Sequence, residues 1–208
     1  MDSKDYLKDI SEIKDLMNKS SRFISLSGLS GILAGIYALI GAWLGYDIIY
    51  ATESPSKEAY KSIVLYEIEM IQILAIALTV VILSIATGIF LSWRKARKKD
   101  ENLWDAASKR LLINFLIPLA TGGFFILFLI EKEIYAFVAP LTLVFYGLAL
   151  VNASKYTLGD IRYFGITIIV IGLLSVYFLG YGLFFWALGF GVCHIIYGAW
   201  MYYKYDRK

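Results

Sequence analysis

Cysteine, histidine and proline are scarce in this sequence, which has one cysteine, one histidine and three prolines in 208 residues. A single cysteine excludes an intrachain disulfide. One histidine and one cysteine make no adequate cluster of zinc ligands, and haem ligation by two histidines would require a second copy of the chain. We therefore expect no metal and no other cofactor.

Catalytic motifs are lacking as well. The sequence contains no H-E-x-x-H, no G-x-S-x-G and no phosphate-binding loop. A serine–lysine pair stays open as an alternative, although no pattern in the sequence indicates one. We expect that the protein is not an enzyme.

Charge is low and unevenly distributed. Charged residues make up 18% of the chain, against roughly a quarter of a soluble domain. Charge is absent from five windows, which are residues 23–46, 70–93, 111–130, 134–154 and 163–203. About 20 apolar residues cross the hydrocarbon layer of a membrane, so each of the first four windows fits one crossing. The fifth window fits two, because Gly180 and Gly182 near its middle predict a turn.

The sequence thus predicts an all-α, polytopic membrane protein with a bundle of six transmembrane helices. We expect three consecutive antiparallel hairpins in a membrane domain of residues 23–203, followed by a basic cytoplasmic tail of residues 204–208. A β-barrel is disfavoured, because barrel strands alternate polar and apolar residues and residues 73–83 do not. The predicted spans are about 23–46, 70–93, 111–130, 134–153, 163–180 and 183–203.

Residues 1–22 form a separate unit. Tyr6, Ile10, Ile13 and Met17 recur at helical spacing, and acidic and basic residues fill the opposite face. This pattern predicts an amphipathic cytoplasmic helix. The helix could pack under the bundle, lie at the lipid headgroups, or dock on a partner, including a second copy of the chain.

The distribution of Lys and Arg predicts the orientation. With the N-terminus in the cytoplasm, 17 of the 20 basic residues lie inside, and only Lys57, Lys61 and Lys132 lie outside. This excess matches the positive-inside rule. The basic run at residues 94–99 is more typical of a segment that flanks a span than of a nucleic-acid site, so we expect a lipid bilayer and no nucleic acid as partner. The small size and short loops favour a prokaryotic plasma membrane.

Two capping patterns locate helix starts. Asn102 with Asp105 is a candidate start for the third span. Thr157 and Asp160 have the spacing of a capping box, in which each side chain bonds a free amide of the first helical turn. We expect that box to open the fifth span.

Polar groups at membrane depth are candidate binding residues, because an ionisable group there is costly. His194 lies near the middle of the sixth span, and Glu67 and Glu69 precede the apolar core of the second. Thr121 and Gly122 follow Pro118 in the third span, where a broken helix could bind a solute or cation through its backbone. The alternatives are a hydrogen-bonded neutral histidine, acids that hydrate the outer surface, and a purely structural kink.

Proline and glycine mark positions of helix distortion and close packing. Pro118 and Pro140 are candidate kinks, since proline removes a backbone hydrogen bond. Gly28, Gly31 and Gly35 give the first span a small-residue face, suited to packing inside the chain or against another membrane protein.

Two functions fit these features. In the first, the protein binds or transports a small solute or cation at a polar site within the bundle. In the second, it is a non-catalytic membrane subunit or regulator that acts through its glycine-rich first span and N-terminal helix. The sequence alone does not distinguish a homo-oligomer from a complex with a different membrane protein.

Overall fold

The computed structural model describes residue 23 and residues 26–50, 67–98 and 104–207, and no strand occurs among them. Within these ranges six helices are long and apolar enough to cross a membrane, so the predicted number of spans is confirmed. Helices satisfy their backbone hydrogen bonds internally, which suits apolar segments that meet lipid. The amphipathic helix predicted for residues 1–22 lies outside the described residues.

The helices follow the charge-free windows with small shifts. Gly180 separates the last two helices and has a φ of 93°, a left-handed conformation that favours glycine. The helices are α1, Gly28–Tyr50; α2, Glu67–Lys98; α3, Ala106–Glu131; α4, Val138–Ala153; α5, Asp160–Tyr177; and α6, Gly182–Asp206. Short 3-10 turns at Tyr135–Phe137 and Ser154–Tyr156 flank α4.

Helix α6 changes its winding along its length. Two α-helical segments alternate with two π-helical segments along it. The four segments are Gly182–Trp186 (α), Ala187–Cys193 (π), His194–Met201 (α) and Tyr202–Asp206 (π). The first π-segment ends next to the single histidine, and π-helical turns are frequent at functional sites.

The inner helices are α1, α4, α5 and α6, whereas α2 and α3 are peripheral. The main contact of α2 is with α1, and the main contact of α3 is with α4. In the most apolar stretch of α2, and likewise of α3, only 6% of the residues are buried, compared with 33% in the corresponding stretch of α5. Helix α5 packs far more extensively on α4 than on α6, its partner in the third predicted hairpin.

Glycines set the close approach between α1 and α6. A Cβ built on Gly31 would lie 3.1 Å from the Cα of Gly198, and one on Gly35 would lie 2.6 Å from the carbonyl oxygen of Gly191. Helices α4 and α5 meet in the same way, because a Cβ on Gly147 would lie 2.7 Å from the carbonyl oxygen of Gly165. Small residues permit such backbone contact between spans.

A network of hydrogen bonds joins three helices at the end of the bundle where α1 begins and α2 and α6 end, here called the basic end. The Lys95 ammonium lies 2.6 Å from the Asp206 carboxylate, and both side chains are largely buried. Lys95 also donates to the Leu26 carbonyl at 2.7 Å. The Gly28 amide donates to Asp206 at 2.8 Å. These bonds tie the start of α1 to the ends of α2 and α6.

The connection between α4 and α5 is held at the same end by Phe23. The Phe23 amide donates to the Tyr156 carbonyl at 2.8 Å, and the Thr157 hydroxyl donates to the Phe23 carbonyl at 2.7 Å. Thr157 therefore does not cap α5, whose N-terminus has no side-chain cap. The predicted capping box at Thr157 is wrong, because that hydroxyl is used in a tertiary contact.

The pattern at Asn102 and Asp105 lies at the start of α3, but Asp105 is the N-cap residue there and its partner in the capping box is Ser108. Asn102 lies outside the described residues. Asp105 accepts a hydrogen bond from the Ser108 amide at 2.7 Å, and the Ser108 hydroxyl accepts one from the Asp105 amide at 2.9 Å. This reciprocal capping satisfies two amides that the first helical turn leaves free.

The two candidate kinks differ in their surroundings. Helix α3 continues through Pro118 from Ala106 to Glu131 without interruption. Pro140 lies in the first turn of α4, where a missing amide costs no intrahelical hydrogen bond. Pro140, one of the two candidate kinks, thus lies at a helix start. The helix whose winding departs from the α-form is α6, which contains no proline.

Candidate functional site

His194 is buried between α4, α5 and α6, and both of its ring nitrogens have partners. Its Nε2 lies 2.8 Å from the Tyr146 hydroxyl, and its Nδ1 lies 3.0 Å from the Gly189 carbonyl oxygen. A carbonyl oxygen only accepts, so Nδ1 carries the hydrogen. In the neutral ring Nε2 then accepts from Tyr146.

Aromatic rings enclose the histidine. The Phe164 ring meets it edge to face at 4.8 Å, and the Phe190 and Tyr146 rings stack on it at 5.8 and 5.4 Å between centroids. Such contacts fix the orientation of the imidazole in addition to its two hydrogen bonds. The geometry is that of a hydrogen-bonded histidine linking α6 to α4, which matches the hydrogen-bonded alternative that the sequence left open.

The other predicted binding residues lie elsewhere. Thr121 is exposed and its hydroxyl donates to the Ile117 carbonyl of its own helix at 2.8 Å. Gly122 is buried, and a Cβ there would lie 2.4 Å from that of Phe145 on α4. Glu69 lies in the first turn of α2, and the side chain of Glu67 is outside the described part of the structure. None of these contacts joins His194.

Gly28, Gly31 and Gly35 lie along the side of α1 that packs on α6. The face that the sequence offered either for internal packing or for a partner is therefore occupied within the chain.

Replacing Tyr146 with phenylalanine is expected to lower the free energy of unfolding by about 1 kcal/mol, because His194 Nε2 loses its donor while it stays buried. The same variant should shift the ¹⁵N resonance of Nε2. A ¹⁵N-histidine label reports this site alone, since the chain has one histidine. Tyr163→Phe is the matched control, because the Tyr163 side chain is 71% exposed. An unchanged Nε2 resonance in Tyr146→Phe would contradict the hydrogen bond.

An apolar cleft of about 190 Å³ lies near the opposite end of the bundle, away from the basic end. Parts of five helices line it, and the lining is almost wholly apolar. Helix α2 contributes one side and Ile130 at the end of α3 another, with α1, α4 and α6 completing the walls. On α1 the lining runs from Gly41 to Tyr50, a length of about 14 Å at 1.5 Å per residue.

Two polar groups of the cleft belong to Tyr50, at the end of α1, and Gly180, in the α5–α6 turn. The Tyr50 hydroxyl donates to the Gly180 carbonyl at 3.0 Å. The rings of Tyr50 and Phe184 are 5.9 Å apart, which adds an aromatic contact between α1 and α6. Deeper in the cleft, the Thr142 hydroxyl donates to the Ala139 carbonyl at 2.7 Å and so offers little to a polar ligand.

Sequence reasoning missed this cleft. Its lining residues, such as Ile73, Ala77 and Leu183, are indistinguishable in sequence from residues that face lipid. One signal was present, since Gly41 and Gly45 place two small residues on one side of α1. Among the described residues, no three His, Cys, Asp or Glu side chains are grouped so that they could hold a metal ion.

Comparison of this chain with protein-family models, with curated proteins and with solved structures finds no match. The site must therefore be interpreted from its own geometry.

Proposed function

We propose that this protein binds a lipid-like amphiphile, with the hydrocarbon part of the ligand in the cleft between α2 and the end of α3. The observation that carries the proposal is the apolar lining of a cleft of about 190 Å³ within membrane-spanning helices. Engineered apolar cavities of about 150 Å³ stay dry and bind benzene, so a site of this size suits part of a hydrocarbon chain or a ring.

The polar part of the ligand is proposed to lie near Tyr50 and Gly180. Tyr50 is the last residue of α1, and its hydroxyl bonds Gly180 in the α5–α6 turn. Tyr46 and Tyr181, which belong to the same two segments, are exposed. Tyrosine favours the headgroup level of a membrane, because its ring is apolar and its hydroxyl bonds to water. A ligand with its chain in the cleft and its headgroup here would satisfy both environments.

Binding within the bundle was predicted from the sequence, but we now favour an apolar ligand over a small polar solute or cation. His194 already uses both ring nitrogens, and the Thr121 hydroxyl bonds its own helix. Neither group offers a free ligand atom in this conformation. Transport of the bound amphiphile across the bilayer would extend this binding role at the same site.

We further propose a plasma-membrane location with both termini in the cytoplasm, as the sequence predicts. The start of α1 and the end of α6 share the basic end through the bond between Gly28 and Asp206. Ten of the eleven Lys and Arg residues in the described ranges belong to segments at that end, and Lys132 is the exception. This distribution supports a cytoplasmic basic end.

A role as a non-catalytic subunit would need a different surface from the one first expected. Gly28, Gly31 and Gly35 face α6, so a partner would meet the peripheral helices α2 and α3 or the residues beyond those described. We therefore rank this role second.

Filling the cleft is expected to expel the ligand. A Cβ on Gly45 would meet only the Leu183 side chain, at 3.8 Å, so Gly45→Leu should fold and occupy the cleft. Native mass spectrometry of protein gently extracted from its membranes should show a bound mass in the range of lipids. In Gly45→Leu the bound fraction should fall by about tenfold, equivalent to about 1.4 kcal/mol.

Gly123→Leu is the matched control for this experiment. Gly123 is exposed on α3, no atom lies within 4 Å of a Cβ placed there, and it does not line the cleft. Its bound mass should equal that of the unsubstituted protein. Equal retention in Gly45→Leu and Gly123→Leu would refute the cleft as the binding site, and a stable second polypeptide in place of a lipid would favour the subunit role.

A further inference from the structure

Positive charge is present in excess at the basic end of the bundle. The described segments there carry ten Lys and Arg residues but only three acids. Each acid is already engaged within the chain. Asp206 binds Lys95, Asp160 binds Lys204, and Asp105 caps α3. The other eight basic residues are exposed and form no ion pair with a described carboxylate; they are Arg94, Arg97, Lys98, Lys109, Arg110, Lys155, Arg162 and Arg207.

Each of the two peripheral helices places a tryptophan beside one of these cations. The Arg97 guanidinium carbon lies 5.5 Å from the centre of the Trp93 ring near the end of α2. The Lys109 ammonium lies 5.8 Å from the centre of the Trp104 ring at the start of α3. The two tryptophans are 45% and 65% exposed. Because tryptophan favours the headgroup level of a membrane, a cation held over its ring lies at the level of lipid phosphates and can donate to their oxygens.

We propose that the basic end binds the headgroups of anionic phospholipids in the surrounding bilayer. Helices α2 and α3 are peripheral, so both tryptophan–cation pairs lie at the surface that lipid meets. The phosphate of an anionic lipid accepts charge-assisted hydrogen bonds from Arg and Lys. A zwitterionic lipid has the same phosphate, but its ammonium group is repelled by the neighbouring cations. The excess of positive charge therefore selects headgroups with a net negative charge.

This headgroup surface is separate from the apolar cleft and does not rest on the proposed function. The cleft lies near the opposite end of the bundle and would hold a hydrocarbon chain, whereas the basic end discriminates between headgroups on identical chains. Gly45→Leu, which fills the cleft, should therefore leave the headgroup preference unchanged. Failure of either proposal leaves the other intact.

Quenching of tryptophan fluorescence by brominated lipid tests the proposal on the full chain in bilayers. Brominated phosphatidylglycerol is diluted into dioleoylphosphatidylcholine, and brominated phosphatidylcholine replaces it in the reference bilayers. Phosphatidylglycerol should quench more strongly, with a preference of about fivefold, which is the effect of one basic residue near an anionic surface. Raising the ionic strength from about 0.1 M to about 1 M shortens the screening length from about 10 Å to about 3 Å and should lower this preference.

Removing basic residues from the peripheral helices should remove the preference. In Arg94→Gln/Arg97→Gln/Lys98→Gln, which changes the end of α2, we expect it to fall below about twofold. These three side chains are exposed and have no ion pair with a described carboxylate, so the variant should fold. Lys109→Gln/Arg110→Gln at the start of α3 should lower the preference as well, and the test therefore does not depend on one variant.

Lys57→Gln/Lys61→Gln/Lys132→Gln is the control with a matched change in net charge. It also removes three positive charges, but from segments that the sequence predicts at the opposite end of the bundle. Its preference for phosphatidylglycerol should equal that of the unsubstituted protein. The proposal is overturned if the two brominated lipids quench equally, if salt leaves the preference unchanged, or if this control lowers it as much as the triple variant on α2.

Discussion

Replacing Asp206 with asparagine is expected to lower the free energy of unfolding by about 3 kcal/mol. The substitution leaves Lys95 charged and largely buried, with the Leu26 carbonyl as its remaining partner. Breaking a buried ion pair by removing one partner costs about 3–5 kcal/mol, and the remaining carbonyl contact places our estimate at the lower end. Unfolding by denaturant or heat in a mild detergent measures the loss.

The double variant Lys95→Met/Asp206→Asn tests whether the cost comes from the pair. Its loss should be smaller than the sum of the two single losses, since the unpaired charge is removed. The exposed pair of Glu131 and Lys132, 3.7 Å apart, is the control. Lys132→Met should change stability by less than about 1 kcal/mol, as is usual for surface pairs. Additive losses at Lys95 and Asp206 would show that the pair does not act as a unit.

Replacing Gly198 with alanine is expected to destabilise the protein by about 2 kcal/mol. The added Cβ would lie 2.6 Å from the Ile32 amide nitrogen, 2.7 Å from the Gly28 carbonyl oxygen and 2.9 Å from the Gly31 carbonyl carbon. All three atoms belong to the backbone of α1, so the helices must separate. Overpacking typically costs 1–3 kcal/mol, and the better helix propensity of alanine offsets up to about 1 kcal/mol.

The same substitution at Gly123 should have the opposite sign. No atom lies within 4 Å of a Cβ at Gly123, so propensity alone acts there and should add about 0.5–1 kcal/mol. Thermal unfolding of the two variants side by side measures the contrast. A Gly198→Ala protein as stable as Gly123→Ala would mean that α1 and α6 do not meet at the separation described.

The predicted and observed helices agree well at the level of spans and less well at their ends. The charge-free window of residues 70–93 lies inside α2, which extends to Glu67 and Lys98. Flanking charges mark where the chain leaves the hydrocarbon, but a helix can continue into water beyond that point. Asp105 shows that local patterns can fix a helix start. Thr157 shows that such a pattern fails when a distant carbonyl takes the same hydroxyl.

The site residues were harder to predict. His194 was identified because it is the single histidine, yet its partner Tyr146 is one of 16 tyrosines and lies 48 residues away. Asp206 is an acid in a tail that was interpreted as basic, and nothing local in the sequence pairs it with Lys95. The cleft lining consists of residues that also suit lipid. Each of these features depends on which helices become neighbours.

The sequence by itself determined that the described part of this chain forms six helices long and apolar enough to cross a membrane, because long uninterrupted apolar segments must satisfy their own backbone hydrogen bonds in lipid. Only the tertiary structure decided which face of each helix meets another. The spans are apolar on all sides, so no amphipathic stripe fixes the rotation of each helix about its axis. Close packing selects this rotation instead, through contacts such as those of Gly198 in α6 with α1 and of Gly147 in α4 with α5. That selection places His194 beside Tyr146 and leaves the cleft open between α2 and α3.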